Sequence, residues 1–234
     1  MTAQPGLTSM QREFESKFMF SAKQATVKTS KGVHAAKQSR SQAKHQALLE
    51  AGRRLLDTHD LGTLSVAQLT RDAGMSVGSF YSRFEDKDAW FAELLRVTGE
   101  QALRDTQALL DGSRFLQANH ERKAALIVRH LVAIHRTHRG IFRAAHSDSA
   151  RSQLYWPQLH AYGQRLADAV YQALAPHLLQ MRPAQRRLRV GIALQLVFGT
   201  LVNAVLHNPG PIGLHDKRME SELSRVFLAA LRLG

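Results

Sequence analysis

Residues 63–91 read TLSVAQLTRDAGMSVGSFYSRFEDKDAWF, and this segment is the most informative part of the chain. It predicts two short helices joined by a tight turn, followed by the start of a third helix. Ser65, Ser76 and Asp86 stand where these helices begin, because their side-chain oxygens can accept hydrogen bonds from free backbone N–H groups. Gly74 suits the left-handed position that ends the first helix. The segment therefore predicts a helix-turn-helix, whose second helix enters the major groove of DNA; an ordinary helical corner capped twice by serine is the alternative.

The residues before this segment predict one further helix and an N-terminal arm. Apolar residues recur at helical spacing over residues 37–59, and this helix is expected to complete a three-helix DNA-binding head over residues 37–85. Arg40 and Lys44 near its start are candidates for contacts with the DNA backbone, with a solvated helix end as the alternative. Residues 1–36 show no sustained periodicity and predict a mobile basic arm, or equally a solvated tail without a role.

Length and composition describe a globular chain with an uneven charge. The 234 residues are 44% hydrophobic and 22% charged, which is enough for one large or two small domains. No cysteine is present, which excludes disulfides and cysteine nucleophiles and suits a cytoplasmic location. The formal charge of +13 favours a polyanionic partner. That charge divides into +5 over residues 1–40, −2 over residues 41–100 and +10 over residues 101–234, so the helix-turn-helix itself is not basic.

Membrane, metal and enzyme functions find little support in the sequence. No apolar stretch of signal-peptide type follows the N-terminus. The apolar run over residues 190–206 is shorter than the ~20 residues that a bilayer requires, so it predicts a buried helix and no membrane partner. No metal site or cofactor is predicted, because His135 and His138 fall in a last helical turn, where basic residues complement the helix dipole. An enzyme with a helical corner is one alternative, but no HExxH, phosphate-binding loop or nucleophile elbow occurs.

Residues 40–96 resemble the DNA-binding domain of the TetR/AcrR family of bacterial transcriptional repressors. The segment that carries the resemblance is LLDTHDLGTLSVAQLTRDAGMSVGSFYSRFEDKDAWFAEL. Its matching positions are Gly62, Ala73-Gly74, Ser76-x-Gly78-Ser79-Phe80-Tyr81 and Phe84-x-x-Lys87. The resemblance implies an all-α fold, with an N-terminal three-helix helix-turn-helix head and a C-terminal helical ligand-binding and dimerisation domain over residues 86–234.

The same resemblance implies which residues bind double-stranded DNA. Tyr81 and Lys87 are expected to contact phosphates, with Ser65 and Val66 at the DNA backbone near the start of their helix. The base edges are expected to face Ser76, Val77, Gly78, Ser79 and Ser82. Val77 departs from the family pattern, which often has Lys, Arg or another polar residue there, but a valine can contact the methyl group of thymine.

The C-terminal domain is predicted to contain helices over residues 121–139, 141–146, 184–207 and 216–233, and a longer one that ends near Leu179. Proline lacks a backbone N–H, so Pro157 is expected to mark a helix start or a kink. Some polar and aromatic residues of these helices are candidates for an effector pocket, although ordinary packing is the alternative for each. The candidates are Leu103, Gln107, Arg129, His130, Phe142, Trp156 and Tyr162.

The two last helices are both apolar and joined by a short loop, HNPGPIG. Such a pair can form half of a four-helix bundle with a twofold mate, and the family dimerises in this way; a bundle within one chain is the alternative. The candidate interface residues are Gly191, Gln195, Gly199, Val202, Leu223 and Phe227.

The expected function is that of a homodimeric, ligand-responsive repressor. It would bind a pseudo-palindromic operator and be released by a small-molecule effector of unknown identity. An architectural DNA binder without an effector is the alternative from another class, supported by the basic tail and the basic C-terminal domain.

Overall fold

The structure, a computed structural model, describes residues 33–147, 149–208 and 210–232. Every regular element in these ranges is a helix, which agrees with the predicted all-α fold. The α-helices in chain order are α1 (Val33–Leu56), α2 (Val66–Asp72), α3 (Val77–Tyr81), α4 (Lys87–Asp111), α5 (Ser113–Leu116), α6 (His120–Thr137), α7 (Arg139–His146), α8 (Ser149–Leu174), α9 (Pro183–Leu206) and α10 (Met219–Arg232). A short 3₁₀ helix, Ala175–His177, follows α8.

The chain divides into two compact units, residues 1–41 and residues 42–234. Helix α1 begins at Val33, four residues earlier than predicted from the sequence, and ends at Leu56. Most of the predicted basic arm, residues 1–32, lies outside the described residues. Arg40 is exposed on α1, just before the second unit begins.

Two hydrophobic cores lie within residues 42–234. The first collects buried residues of α1, α2 and α3, the N-terminal half of α4, α7 and the start of α8; we call it the head core. The second, the body core, collects buried residues from the end of α4, from α6, from the rest of α8, and from α9 and α10. Helices α9 and α10 pack against each other and against α6, which places both C-terminal helices in the body core.

Two predicted features of the C-terminal domain differ in the structure. The helix predicted over residues 121–139 ends at Thr137, and Gly140, which lies between two of the predicted helices, falls inside α7. The glycine serves close packing instead, because a Cβ there would lie 2.4 Å from the carbonyl oxygen of Leu56. Pro157 does not start a helix, since α8 runs through it from Ser149, and the kink that the sequence offers as the alternative stays a prediction.

Helix α9 is long and apolar enough to cross a membrane by length and composition alone. Core helices of soluble proteins pass the same test. Here Val190, Leu194, Val197 and Leu201 are almost fully buried within the chain. One face of α9 is therefore buried within the chain, as predicted for this apolar run, while its other face is exposed.

Candidate nucleic-acid interface

Helices α2 and α3 are delimited by short-range hydrogen bonds that the sequence predicts. The Ser65 hydroxyl accepts from the backbone N–H of Gln68 at 3.1 Å, and the Gln68 side chain accepts from the Ser65 N–H at 2.9 Å. This reciprocal pair is a capping box. Gly74 has φ of +66° and ends the first helix. Ser76 then caps α3, because its hydroxyl accepts from the N–H of Ser79 at 3.3 Å. The structure confirms the predicted helix-turn-helix.

The inner face of the motif is aromatic. Phe80 and Trp90 are fully buried, and Phe84 is nearly so. The rings of Phe80 and Phe84 lie 5.4 Å apart, one helical turn along the chain. Asp86 starts α4 by accepting a hydrogen bond from the Ala89 N–H at 2.7 Å. Because its inner face is occupied, α3 turns only its other side towards solvent.

The solvent side of α3 carries most of the residues predicted to face DNA bases. Val77 is 43% exposed and Tyr81 is 56% exposed. Ser76, Gly78 and Ser82 are also exposed, and Ser79 is half-buried. A five-residue helix with small side chains on its open face can approach a groove closely.

Arg83 contributes to this face in a way that sequence reasoning missed. Its guanidinium donates to the carbonyl oxygen of Ser79 at 2.8 Å and to the Ser82 hydroxyl at 3.0 Å. The Ser79 carbonyl and the Ser82 hydroxyl lie near the C-terminal end of α3, where a cation is favourable. Arg83 therefore stabilises the end of α3. The sequence signal for this role is that Arg83 follows Ser79 by four residues, which is one helical turn.

The other predicted backbone contacts differ in their exposure. Arg40 and Lys44 are exposed on α1, and Ser65 is exposed at the start of α2. Val66 is half-buried and packs against the head core. Val66 can therefore present only part of its side chain to DNA.

Lys87 is placed differently from the prediction. Its ammonium group donates to the carbonyl oxygens of Leu61 at 2.6 Å, Gly62 at 3.2 Å and Leu64 at 2.8 Å. A lysine has three N–H donors, so these bonds use all of them. The predicted phosphate contact is corrected accordingly: Lys87 holds the turn that leads into α2.

Comparison with known families matches both parts of the chain. Residues 48–94 match bacterial regulatory proteins of the tetR family, and residues 122–231 match the tetracyclin repressor-like C-terminal domain. This chain belongs to the TetR family. Its helix-turn-helix head and its C-terminal helical domain are those of a TetR-family transcriptional regulator.

Solved structures show the same fold at low identity. A protein described as a TetR-family regulator from Mesorhizobium loti MAFF303099 is 18% identical, with a TM-score of 0.63 over 82% of this chain and 95% of that one. FadR from Bacillus subtilis, solved in complex with stearoyl-CoA, is 14% identical, with a TM-score of 0.59 over 80% of this chain and 98% of that one. NalD, described as the secondary repressor of the MexAB-OprM multidrug efflux pump in Pseudomonas aeruginosa, is 20% identical, with a TM-score of 0.56 over 80% and 96%. A comparison with curated proteins finds no match.

Three of the residues predicted to line an effector pocket face solvent in the C-terminal domain. Gln107 is exposed and donates to Asp111, and Arg129 is exposed and paired with Glu220 at 3.1 Å. Trp156 is 56% exposed. These three predictions are corrected, because the helices place these side chains towards solvent.

The remaining pocket candidates are packed or hydrogen-bonded. Leu103 and Phe142 are half-buried and pack against the body core. Tyr162 donates to the carbonyl oxygen of Arg96 at 3.2 Å. His130 lies 3.0 Å from the Thr106 hydroxyl, and burial lowers the pKa of its imidazole. A neutral His130 is therefore favoured near neutral pH.

A groove that the sequence did not indicate lies between α8 and α9. Its volume is about 400 Å³, and none of the predicted pocket residues lines it. Arg187 forms an ion pair with Asp168 in this groove, and its guanidinium lies 5.2 Å from the centre of the Tyr171 ring. The other lining residues are Gln164, Ala167, Val190 and Gly191.

The predicted dimer residues fall into two groups. Gly191, Gln195 and Gly199 are exposed on α9, and Val202 is half-buried. A Cβ at either glycine would meet nothing within 4 Å, so a partner could approach closely there. Leu223 and Phe227 of α10 instead lie in the body core, 4% and 0% exposed. Their predicted place at a dimer interface is corrected, because they already pack within the chain.

Proposed function

We propose that this TetR-family regulator is a homodimeric repressor that binds a pseudo-palindromic operator and leaves it when a small molecule binds. The observation that carries the proposal is the open face of α3, capped by Ser76 and lined by small side chains. The capped N-terminus of such a helix suits the major groove, where half-sites lie about 34–36 Å apart in a dimeric complex.

The open face of α3 suggests how bases and backbone are read. Val77 is suited to contact a thymine methyl group, and the hydroxyls of Ser76, Ser79 and Ser82 can donate to or accept from base edges. The exposed phenol of Tyr81 is suited to a phosphate, as are the exposed Arg40 and Lys44. Lys87 is left out of this proposal because its donors are used within the head.

The exposed side of α9 supports self-association. Gly191, Gln195 and Gly199 lie beside Leu188 and Leu196, which are 61% and 46% exposed. Exposed apolar side chains next to small residues favour close helix packing against a second copy. We propose that the interface uses this side of α9 together with the exposed Val226 of α10.

The groove between α8 and α9 is the proposed effector site. It combines an aromatic ring, Tyr171, with a charged pair, Asp168 and Arg187, in one recess. It also includes Gly191 of the proposed dimer face, so an occupant can favour one arrangement of the two copies over another. A ligand releases the operator only if it prefers the conformation that binds DNA poorly. FadR, which shares this fold, was solved with stearoyl-CoA. That complex supports the proposal that the C-terminal domain of this protein binds a small molecule.

We further propose that the protein acts in the cytoplasm and performs no catalysis. Family membership supports both statements, and the absence of cysteine suits a reducing cytoplasm. An architectural DNA binder without an effector is the alternative, favoured by the net charge of +13. The two differ in sequence preference and in salt dependence, because non-specific binding is dominated by phosphate contacts.

Selection from random duplexes, followed by competition at moderate salt, tests this proposal. We expect a palindromic site that competes at least about a thousandfold better than random DNA. Gly199→Arg places a charge on the proposed dimer face and should weaken binding to the two-half-site operator, while binding to a single half-site stays the same. No preferred sequence at moderate salt would exclude the repressor. An effect of Gly199→Arg on both probes alike would exclude the α9 interface.

A further inference from the structure

The head of this protein is not closed by its own three helices. The head core includes Ile141, Ala144 and Ala145 of α7, and Tyr155 of α8, beside the buried residues of α1, α2, α3 and α4. Each of these four side chains is at most 3% exposed. Two segments that are distant in sequence from the helix-turn-helix therefore complete its core.

The contact between α7 and the end of α1 is made directly through backbone. A Cβ at Gly140 would lie 2.4 Å from the Leu56 carbonyl oxygen and 2.7 Å from the Asp57 nitrogen. Real Cβ atoms do not come this close to backbone atoms, so only glycine permits the observed packing. The N-terminus of α7 thus rests on the last turn of α1.

Arg143 stabilises the contact between α7 and the end of α1. Its guanidinium donates to the carbonyl oxygens of Leu56 at 2.9 Å and His59 at 3.2 Å, and its Nε lies 3.5 Å from a carboxylate oxygen of Asp60. The last carbonyl groups of a helix lack partners within the helix, and a cation at that end is favourable. The Arg143 side chain is only 22% exposed, so its interactions are partly shielded from solvent.

Arg143 and Lys87 hold the same connection from two sides. We call residues 57–64, which join α1 to α2, the connecting turn. On one side, Arg143 donates hydrogen bonds to the carbonyl oxygens of Leu56 and His59. On the other side, Lys87 donates to the carbonyl oxygens of Leu61, Gly62 and Leu64. The connecting turn, which leads directly into α2 and α3, is therefore bonded to both α7 and α4.

A second contact acts in parallel at the start of α8. The Tyr155 hydroxyl donates to Asp88 at 2.8 Å, and the Tyr155 ring packs edge-on against Phe91 with centroids 4.8 Å apart. The Gln158 amide donates to the carbonyl oxygen of Ala92 at 3.2 Å. Helix α4 is therefore held to α8 within its first two turns.

From these contacts we infer that Arg143 is a positioning residue for operator recognition: it fixes the helix-turn-helix to α7 and so sets which half-site spacing the dimer accepts. The inference rests on the dimeric operator binding proposed above. A head that is rigidly fixed to its body presents two recognition helices at one separation. A head whose connecting turn is released accepts several separations and distinguishes them less.

The test uses the full chain and the operator found by selection, with its half-sites moved closer or apart by single base pairs. Wild-type protein should prefer one spacing, and Arg143→Gln should reduce that preference by about fivefold or more, since it removes charge-assisted hydrogen bonds. Binding to one isolated half-site should change far less. Arg104→Gln is the matched control, because it removes one positive charge from an exposed arginine whose hydrogen bond among the described residues is to Gln101 of the same helix.

Two additional measurements separate positioning from loss of folding. Arg143→Lys keeps the charge but lacks the planar fork that reaches two acceptors, and it should show an intermediate preference. Amide hydrogen exchange in residues 57–64 should be faster in Arg143→Gln and unchanged in Arg104→Gln. If a thermal denaturation experiment shows that Arg143→Gln is not folded, the half-site spacing preference of Arg143→Lys decides the test.

The outcomes distinguish this inference from the proposed function. A wild-type protein without a preferred operator overturns both. A wild-type protein with a preferred spacing that Arg143→Gln and Arg143→Lys both retain overturns the positioning role alone. An equal loss in Arg104→Gln would show that the effect comes from charge and would also overturn it.

Discussion

Lys87 and Arg143 both donate hydrogen bonds to backbone carbonyl oxygens within the fold. Lys87 stands at a family position that is expected to contact a DNA phosphate. Its ammonium group instead donates hydrogen bonds to three carbonyl oxygens of the connecting turn. Arg143 donates to two further carbonyl oxygens, that of Leu56 at the end of α1 and that of His59 in the connecting turn. A basic residue next to a DNA-binding motif is therefore not by itself evidence of a DNA contact, and the difference can be measured.

Lys87→Ala should lower the free energy of unfolding by about 2–3 kcal/mol, because it leaves partly buried carbonyls without a charged donor. The slope of log affinity against log salt should stay unchanged in the folded protein. Lys44→Ala is the control: it should leave stability within about 0.5 kcal/mol and, if Lys44 binds phosphate, reduce the slope by about 1. Denaturant unfolding and a salt titration of operator binding measure both. A stable Lys87→Ala protein with a reduced slope would restore the phosphate contact.

At the scale of elements, the head depends on close approach between α1 and α4. A Cβ at Gly52 would lie 2.1 Å from Cζ2 of Trp90, and Trp90 is fully buried. The indole ring is rigid and surrounded, so it cannot easily move aside. By contrast, a Cβ at Gly163 in α8 would meet nothing within 4 Å.

Gly52→Ala should destabilise the protein by about 1–3 kcal/mol through overpacking. Gly163→Ala makes the same chemical change on an open helix face and should stabilise it by about 0.5–1 kcal/mol, because alanine loses less backbone entropy in a helix. Thermal or urea unfolding of the two variants compares them directly. Equal effects on stability would show that Trp90 does not pack on Gly52 as described.

At the scale of the whole molecule, His135 is buried and His130, His138 and His146 are half-buried. His135 is 3% exposed; its ring stacks on Phe142 at 4.5 Å, and its Nδ1 donates to the Leu131 carbonyl oxygen at 2.8 Å. Burial lowers its pKa to about 4. Burial also lowers the pKa values of His130, His138 and His146. The folded protein thus keeps these imidazoles neutral where the unfolded chain would protonate them.

This protein should lose stability as the pH falls from about 6.5 towards 4. In that window the unfolded chain binds a proton at His135 and the folded protein does not, so unfolding is favoured; above about 6.5 both states are neutral and the effect vanishes. His135 alone should contribute about 2 kcal/mol of loss at pH 5. Urea unfolding at pH 7.5 and pH 5 measures it. His135→Phe should show a smaller loss, while the exposed control His215→Gln should behave as wild type. An identical loss in His135→Phe would contradict the assignment.

Local chemistry explains what the sequence determined by itself. The caps at Ser65, Ser76 and Asp86 and the left-handed Gly74 are all as predicted. Each depends on residues within about four positions of one another, where helix geometry leaves few alternatives. The all-α fold and the family follow from this one segment.

Only the tertiary structure decided the long-range roles. It turned Lys87 and Arg143 towards carbonyls, placed Gly140 against α1, buried Leu223 and Phe227, and left Trp156 exposed. Periodicity shows that a helix has an apolar face, but not which neighbour covers it or which of its ends meets another helix. Those partners lie dozens of residues away along the chain, and their choice depends on how all the helices pack together around the two cores.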